Sequence, residues 1–220
     1  MSNVRIIPRL DIKGPDLVKG IHLEGLRVLG DPVDFSEHYF KNGADEIYYQ
    51  DVVASLYQRN SIYDLLNKVA KKVFIPLTAG GGIRTIDDIR KTLNAGADRV
   101  SINTAAVNDK NFITEAVNVF GSSTIVVAIE FSKSENNKYR VFTDNGRQET
   151  GLNAMDWFLE VQELGAGEVC FTSIDRDGTG KGFDSEFLKI IKNKINIPIL
   201  VHGGLKAPSD LLNTLETCPV

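Results

Sequence analysis

The sequence predicts an α/β protein, a (β/α)8 barrel assembled from two half-barrel repeats, and two observations lead to this prediction. Short apolar stretches alternate with amphipathic ones along the whole chain, which is typical of strands alternating with helices. One segment also occurs twice: Phe74-Ile-Pro-Leu-Thr-Ala-Gly-Gly-Gly-Ile-Arg84 is matched 122 positions later by Asn196-Ile-Pro-Ile-Leu-Val-His-Gly-Gly-Leu-Lys206. A long internal repeat indicates a duplicated half-fold. We therefore expect one barrel domain over residues 1–220, with halves at about 1–121 and 122–220.

Both copies of the repeat combine a buried strand with a glycine turn. The apolar runs Ile75–Thr78 and Ile197–Val201 show no polar alternation, which is typical of parallel strands covered on both faces. Glycines let the backbone come close to a ligand, and the helix that follows begins with free N–H groups. Each turn is therefore a candidate anion site. A plain strand-to-helix turn is the alternative for either copy taken alone.

The individual elements follow from the apolar periodicity and from capping and turn residues. Strands are predicted over residues 4–12, 46–52, 75–78, 99–102, 124–129, 168–172 and 197–201. Helices are predicted over residues 32–42, 61–72, 85–95, 109–120, 154–164, 185–194 and 209–217, with Ser61 and Thr85 as N-caps. Residues 14–31 are predicted to form a long polar loop. Residues 133–151 carry the turn signal Asp144-Asn-Gly146, which predicts a hairpin inserted after the fifth strand.

Composition narrows the class of protein. A chain of 220 residues that is 42% hydrophobic can bury a full core, and a net charge of −4 argues against a nucleic-acid surface. No apolar run reaches the length of a membrane span, and no signal-peptide pattern is present at the first residues. Cys170 and Cys218 make no disulfide framework, and no His/Cys spacing is typical of a metal site. We expect a cytoplasmic protein without a metal or other cofactor.

In a barrel of this kind the chemistry sits at the carboxyl ends of the strands. Asp11 and Glu130 end the first strand of each half, and two carboxylates that face each other across the mouth suit paired acid and base catalysis. Capping or solvation of the strand ends is the alternative. Other polar residues predicted at these ends, or on the first loop, are Lys19, Asp51, Asn103, Thr104, Thr172, Asp175, Asp177 and His202.

Six motifs carry a resemblance to a known family. They are Ile6-Ile-Pro-Arg-Leu-Asp11, Leu17-Val-Lys-Gly20, Gly43-Ala-Asp-Glu46, Ile75-Pro-Leu-Thr-Ala-Gly-Gly-Gly-Ile-Arg84, Gly96-Ala-Asp-Arg-Val-Ser-Ile-Asn103 and Thr172-Ser-Ile-Asp-Arg-Asp-Gly-Thr179. Together, in order and at family spacing, they closely resemble the cyclase subunit of imidazole glycerol phosphate synthase, from Val4 to about Leu215. The sister isomerase family of histidine synthesis shares the half-barrel repeat but usually lacks the Gly43–Glu46 type of segment and the long hairpin.

The resemblance implies an ammonia-dependent reaction and a set of site residues. The family closes the imidazole ring of imidazole glycerol phosphate from a bisphosphorylated ribulosyl-formimino nucleotide, and releases aminoimidazole carboxamide ribonucleotide. By this matching Asp11 and Glu130 are the catalytic residues, although the family has Asp at the second position. The residues that match substrate or phosphate binding are Lys19, Asp51, Gly82, Asn103, Thr104, Thr172, Ser173, Asp177, Gly203 and Gly204.

The family also implies a protein partner. A glutaminase docks on the amino-terminal face of the barrel as the second chain of a heterodimer, and its ammonia passes through the barrel core. The residues that match the charged gate at this face are Arg5, Glu46, Arg99 and Glu168. A plain salt-bridge plug that closes the barrel end is the alternative.

Three departures from the family pattern lie in or beside the mouth. The family normally has Cys at the position of Arg9, Ser at that of His202 and Asp at that of Glu130. Three functions therefore remain open: a cyclase of histidine synthesis, a cyclase-like subunit for ammonia-dependent amidination of a sugar nucleotide in surface-polysaccharide synthesis, and a non-catalytic barrel that binds a phosphorylated ligand and its glutaminase.

The repeat offset also bears on the end of the chain. It places Gly96-Ala-Asp98 of the first half on Cys218-Pro-Val220, so the sequence stops where an eighth strand would begin. We expect a shortened form of a longer chain, with weak bisphosphate binding or association through an open sheet edge.

Overall fold

The computed structural model describes residues 4–54 and 62–218. The strands are β1 (Arg9–Lys13), β2 (Asp16–Ile21), β3 (Glu24–Gly30), β4 (Ile47–Asp51), β5 (Leu77–Gly80), β6 (Arg99–Ile102), β7 (Ile125–Lys133), β8 (Tyr139–Thr143), β9 (Gln148–Asn153), β10 (Glu168–Ser173) and β11 (Ile199–His202). The helices are α1 (Pro32–Lys41), α2 (Ile62–Val69), α3 (Ile86–Asn94), α4 (Thr104–Asn108), α5 (Asn111–Phe120), α6 (Ala154–Glu163), α7 (Ser185–Ile191) and α8 (Pro208–Thr217). Short 3₁₀ turns follow α5 and α7, at Ser122–Thr124 and Lys192–Lys194.

Seven of the described strands run parallel, in the order β1-β4-β5-β6-β7-β10-β11. Two hairpins extend this parallel sheet. β2 and β3 pair antiparallel beside β1, and β8 and β9 pair antiparallel beside β7. Because parallel strands need crossover connections, helices lie between most of them. The predicted α/β alternation and barrel type are confirmed, and the carboxyl ends of the seven parallel strands meet at one edge, which we call the mouth.

The parallel strands curl so that their inner faces meet. Tyr48, Val126 and Cys170, from β4, β7 and β10, form one buried cluster. The Tyr48 hydroxyl donates a hydrogen bond to Ser101 Oγ on β6, at 2.5 Å. These contacts join strands that are not all sheet neighbours, so the side chains fill the inside of a barrel. Two larger apolar clusters fill the space between the outer faces of the strands and the helices.

The repeat seen in the sequence recurs in the contacts at the same offset. The Asp88 carboxylate accepts hydrogen bonds from the N–H groups of residues 84 and 85, and the Asp210 carboxylate accepts them from residues 206 and 207. A Cβ atom on Gly81 would meet the backbone of Asp51, and one on Gly203 would meet that of Ser173. Both glycines have left-handed φ angles, of 100° and 101°. The two glycine turns are therefore the same structure built twice.

Most element predictions agree with the structure to within a few residues. The first strand begins at Arg9 and not at residue 4, the short helix Thr104–Asn108 was not predicted, and one predicted element is wrong. The predicted polar loop over residues 14–31 contains strands β2 and β3. β3 is almost entirely exposed or half-buried, so it lacks the alternation of apolar residues by which a half-buried strand is recognised. Thr85 caps α3 as predicted, with a capping box to Asp88. The predicted N-cap Ser61 lies outside the described residues.

Candidate active site

A cavity of about 470 Å³ opens at the mouth, above the carboxyl ends of β4 to β7. Five of the residues predicted for the site line this cavity, namely Asp51, Gly82, Asn103, Thr104 and Glu130. They lie on or directly after four strands that are neighbours in the parallel sheet, β4 to β7, so the sheet alone brings them together. Gly82 has a φ of 73°, which turns the chain towards α3 at a cost that a side chain would increase. The first half of the predicted site is thus assembled around one opening.

The tip of the inserted hairpin forms part of the same cavity, which sequence reasoning missed. Asp144 and Asn145 line it, and Asp144 contacts Thr104 through a hydrogen bond between its N–H and Oγ1 at 3.3 Å. Asn145 is buried and donates from Nδ2 to the carbonyl of Leu23 at 3.3 Å. Because the hairpin directly follows the strand that carries Glu130, the sequence could have placed it near the mouth, but not which of its residues face the cavity.

Glu130 lies on β7, faces the cavity and is 4% exposed. Its Oε2 accepts a hydrogen bond from the Gly146 N–H at 2.9 Å, at the hairpin tip. Burial raises the pKa of Glu130 to about 7, although Arg9 and the Gly146 N–H act in the opposite direction. A carboxyl group with this pKa exchanges protons readily near neutral pH, as general acid–base catalysis requires.

Asp11 has very different surroundings. Its Oδ1 accepts from Arg9 Nε at 2.9 Å, and its Oδ2 accepts from Lys19 Nζ at 3.0 Å. Burial alone would raise the pKa of Asp11, but Arg9 and Lys19 lower it to about 2. Lys19 also donates to Asp177 Oδ1 at 2.8 Å. The carboxylate of Asp11 is therefore ionised across the physiological range.

Arg9 contacts several side chains in the second half of the mouth. Its Nη1 donates to Thr172 Oγ1 at 2.9 Å and lies 3.4 Å from His202 Nδ1. His202 Nε2 lies 3.7 Å from Asp177 Oδ1, and burial together with the neighbouring Arg9 lowers the pKa of His202 well below its usual value. This part of the mouth is lined by a connected set of charged and polar side chains, namely Arg9, Asp11, Lys19, Thr172, Asp177 and His202. Two of them, Arg9 and His202, are departures from the family pattern.

Five buried side-chain atoms near the mouth have no hydrogen-bond partner within the described part of the chain. They are Arg9 Nη2, Asn103 Oδ1, Asn145 Oδ1, Ser173 Oγ and Asp177 Oδ2. Buried polar atoms are normally paired, and most of the unpaired ones in this structure cluster at one end of the barrel. Ser173 also adjoins the Gly203 turn, where Gly204 follows with a φ of 99°. Such a set of unused donors and acceptors is what a polar ligand needs.

The four charged residues predicted for the opposite end form a closed ring. Arg5 and Arg99 each contact both Glu46 and Glu168, with Arg5 Nη1 at 3.1 Å and Arg99 Nη2 at 3.4 Å from Glu46 Oε2. Thr78 Oγ1 donates to the other Glu46 oxygen at 2.5 Å. Burial raises the pKa of Glu46, partly offset by the Thr78 hydrogen bond and the two arginines. The ring closes the amino-terminal end of the barrel below the Tyr48 cluster.

Within residues 4–54 and 62–218, no three His, Cys, Asp or Glu side chains are grouped as metal ligands would be. None of the helices there has the length and apolar character needed to cross a membrane.

Comparison with known proteins identifies the family. Residues 5–218 match the model of a family described as histidine biosynthesis protein. The imidazole glycerol phosphate synthase subunit HisF of Legionella pneumophila is 49% identical over 205 residues, which cover 93% of this chain and 97% of that protein. The subunits HisF of two Dehalococcoides mccartyi strains, BAV1 and CBDB1, are each 43% identical over 216 residues, 98% of this chain and 85% of theirs. The chain therefore belongs to the histidine biosynthesis protein family, in the group that contains these HisF subunits.

Proposed function

We propose that this chain is the cyclase subunit of an imidazole glycerol phosphate synthase, a lyase of histidine biosynthesis. It would use ammonia to convert a phosphoribulosyl-formimino aminoimidazole carboxamide nucleotide into imidazole glycerol phosphate and aminoimidazole carboxamide ribonucleotide. The observation that carries the proposal is the arrangement of the two carboxyl groups at the mouth. Glu130, a buried carboxyl group with a pKa of about 7, faces a polar cavity and interacts electrostatically with Asp11, an ionised carboxylate paired with Arg9 and Lys19.

The repeat supports a substrate with a phosphate at each end. Gly81 and Gly82 lie at one glycine turn of the mouth and Gly203 and Gly204 at the other, all with left-handed φ angles. Such turns expose backbone N–H groups that bind anions. Asn103 and Thr104 lie beside the first turn, and Ser173 beside the second. Two equivalent anion sites at one mouth suit a bisphosphate, whereas a substrate with one phosphate needs only one.

The ring of Arg5, Glu46, Arg99 and Glu168 supports a glutaminase partner on the amino-terminal face. Ammonia made there would have to pass this ring and the Tyr48 cluster to reach the mouth. Every member of the ring has an oppositely charged partner within it, so the ring can open only if salt bridges are broken or rearranged. A docked partner could supply the competing contacts, which would couple ammonia entry to complex formation.

The test is turnover of the bisphosphorylated nucleotide with an ammonium salt, and then with glutamine and a HisH-type glutaminase. We expect release of aminoimidazole carboxamide ribonucleotide in both cases. Lys19→Ala serves as the matched variant, because it removes a mouth cation that lies outside the ring. It should lower both rates together. Binding of the nucleotide without turnover under either condition would instead indicate a non-catalytic binding barrel.

One observation favours a second candidate, the ammonia-dependent amidination of a sugar nucleotide in surface-polysaccharide synthesis. The three departures from the family lie together: Arg9 contacts His202 and acts electrostatically on Glu130. Changes that are grouped at the mouth are those expected if the substrate has changed. Glu130→Asp restores the family residue, so a rise in cyclase activity would favour this candidate. Turnover of sugar nucleotides with ammonium salts tests it directly.

A further inference from the structure

The two carboxyl groups assigned to catalysis differ in what surrounds them. Both oxygens of Asp11 accept a hydrogen bond from a cation, Arg9 on one side and Lys19 on the other. Asp11 is not among the described residues that line the cavity. Glu130 lines the cavity and accepts one hydrogen bond, from the uncharged backbone N–H of Gly146.

The difference originates in Arg9, a residue that nothing so far assigns to the reaction. Arg9 and Asp11 are two positions apart on β1, so their side chains point to the same face of the sheet. The Arg9 side chain is 6% exposed and is held in place by Thr172 as well as by Asp11. A buried guanidinium cannot lose its proton and needs an anion nearby. Asp11 is that anion, so it cannot be protonated without leaving Arg9 unpaired.

We propose that Arg9 is a positioning residue that fixes Asp11 as a permanent anion, so that Glu130 alone carries the proton during the reaction. The inference rests on the proposed function, in which ammonia adds to a carbon atom of a ligand bound at this mouth. As the new C–N bond forms at a carbonyl carbon, ionised Glu130 takes a proton from the ammonia nitrogen and gives it to the carbonyl oxygen, which becomes a hydroxyl group. It then takes a second proton from the same nitrogen and gives it to that hydroxyl group as the C–O bond breaks. Water leaves, a C=N bond forms, and Glu130 is ionised again.

The other charged or titratable groups around Glu130 do not replace it in this role. They are Arg9 and Asp11 on β1, Tyr48 on β4 and Asp144 at the hairpin tip. Arg9 remains a cation and Asp11 an anion in the pairs described above. Burial raises the pKa of Tyr48 well above its usual value, so Tyr48 stays neutral. The Asp144 carboxylate accepts a hydrogen bond from Thr104 Oγ1 at 3.4 Å at the cavity wall. The pKa values, about 7 for Glu130 and about 2 for Asp11, agree with these roles: Glu130 carries the proton and Asp11 stays ionised.

The direct test needs no substrate. Side-chain carboxyl groups labelled with carbon-13 are titrated by NMR in the full chain, with Asp11→Asn and Glu130→Gln used to assign the two signals. We expect the Glu130 signal to titrate with a midpoint near pH 7 and the Asp11 signal to stay constant between about pH 4 and about pH 9. In Arg9→Met the Glu130 midpoint should rise, because a cation that favours the ionised form is gone. Arg9→Lys retains a cation and should stay near the parent value. A parent Asp11 that titrates above about pH 5 overturns the proposal.

The kinetic test is the pH dependence of turnover at a constant concentration of free ammonia. If Glu130 is the base, the parent rate should fall about tenfold from its plateau on going to about pH 6, one unit below the midpoint. Arg9→Met should move this acid limb to higher pH, whereas Arg9→Lys should leave it nearly in place. A loss of rate without a shift of the limb would make Arg9 merely structural and would refute the proposal. If no substrate is turned over, the proposed function fails, but the NMR titration still decides the roles of Arg9 and Asp11.

Discussion

Replacing Glu130 by Gln should make the protein more stable at alkaline pH and change little at acid pH. Burial raises the pKa of Glu130 from 4.5 to about 7, so the folded protein prefers the protonated carboxyl group. A group whose pKa is raised by folding contributes stability that is fully present below the unfolded pKa and is lost as pH rises through the folded value. The loss therefore falls between about pH 4.5 and about pH 7. Gln is uncharged, like the protonated carboxyl group, so the Glu130→Gln variant does not lose this stability as the pH rises.

The size of the effect follows from the two pKa values. The shift from 4.5 to about 7 corresponds to about 3 kcal/mol in the free energy of unfolding when it is fully expressed. About a quarter of this is already lost at pH 5, so the advantage of Glu130→Gln should grow by about 2 to 3 kcal/mol between pH 5 and pH 8. Asp11 has the opposite sign, because its pKa is lowered to about 2. Its stabilisation is lost only below about pH 4, outside this window.

The assay is urea unfolding of the parent and of Glu130→Gln at several pH values, followed by circular dichroism. His202 also titrates differently in the folded and unfolded chains, but it is present in both proteins and largely cancels in the difference. Glu163→Gln, which removes an exposed carboxyl group at the end of α6, is the matched control. A difference between parent and Glu130→Gln that stays constant from pH 5 to pH 8 would show that Glu130 is not held protonated by burial, and the reasoning would fail.

Three other changes test the remaining parts of the site. Asp11→Asn leaves the buried Arg9 without its carboxylate partner, whereas Lys19 keeps Asp177. Turnover should therefore fall more than about a hundredfold and the free energy of unfolding by about 3 to 5 kcal/mol. A variant that keeps most of its rate contradicts the assignment of Asp11 to the active site. Arg99→Glu reverses one charge of the ring, and should uncouple glutamine hydrolysis from product formation more than it slows the reaction with ammonium; equal losses with both nitrogen sources count against a gate. Gly203→Ala adds a Cβ that would lie 2.7 Å from a backbone oxygen of β10, at a residue with a φ of 101°. Urea unfolding should therefore show that the free energy of unfolding falls by about 2 kcal/mol. An unchanged unfolding midpoint would argue against a fixed turn.

The parts of the fold that the sequence predicted best are those determined by nearby residues. The strand Arg99–Ile102 was placed at its observed bounds, and the Thr85 cap was identified correctly. The strand is recognised from a short apolar run, and the cap from two residues that are three positions apart, Thr85 and Asp88. β3 was missed because its pairing with β2, rather than an apolar pattern, holds it in the sheet. Local periodicity cannot detect a strand of that kind.

The site shows the same limit in another form. The repeat and the strand order were enough to bring Glu130 and Asn103 to one mouth. Asn145 was missed, because its place depends on a hydrogen bond to Leu23, which is 122 residues away in the sequence. The pairing of Arg9 with Asp11 could have been found, since residues two apart on a strand share a face. The sequence does not show that this pairing, together with burial, gives Asp11 and Glu130 very different pKa values.

The charges at the mouth explain why the departures at positions 9 and 130 belong together. Arg9 and Lys19 supply two positive charges that are taken up by the carboxylates of Asp11 and Asp177. This set is neutral as a whole, so Glu130 meets no surplus positive charge and burial dominates its pKa. With an uncharged residue at position 9, as in the family pattern, the same set would carry one net negative charge. A buried carboxyl group beside it would then be harder still to ionise. Arg9 therefore brings the pKa of Glu130 down to the range in which it can act as a base near neutral pH, and it does so by removing Asp11 from that range.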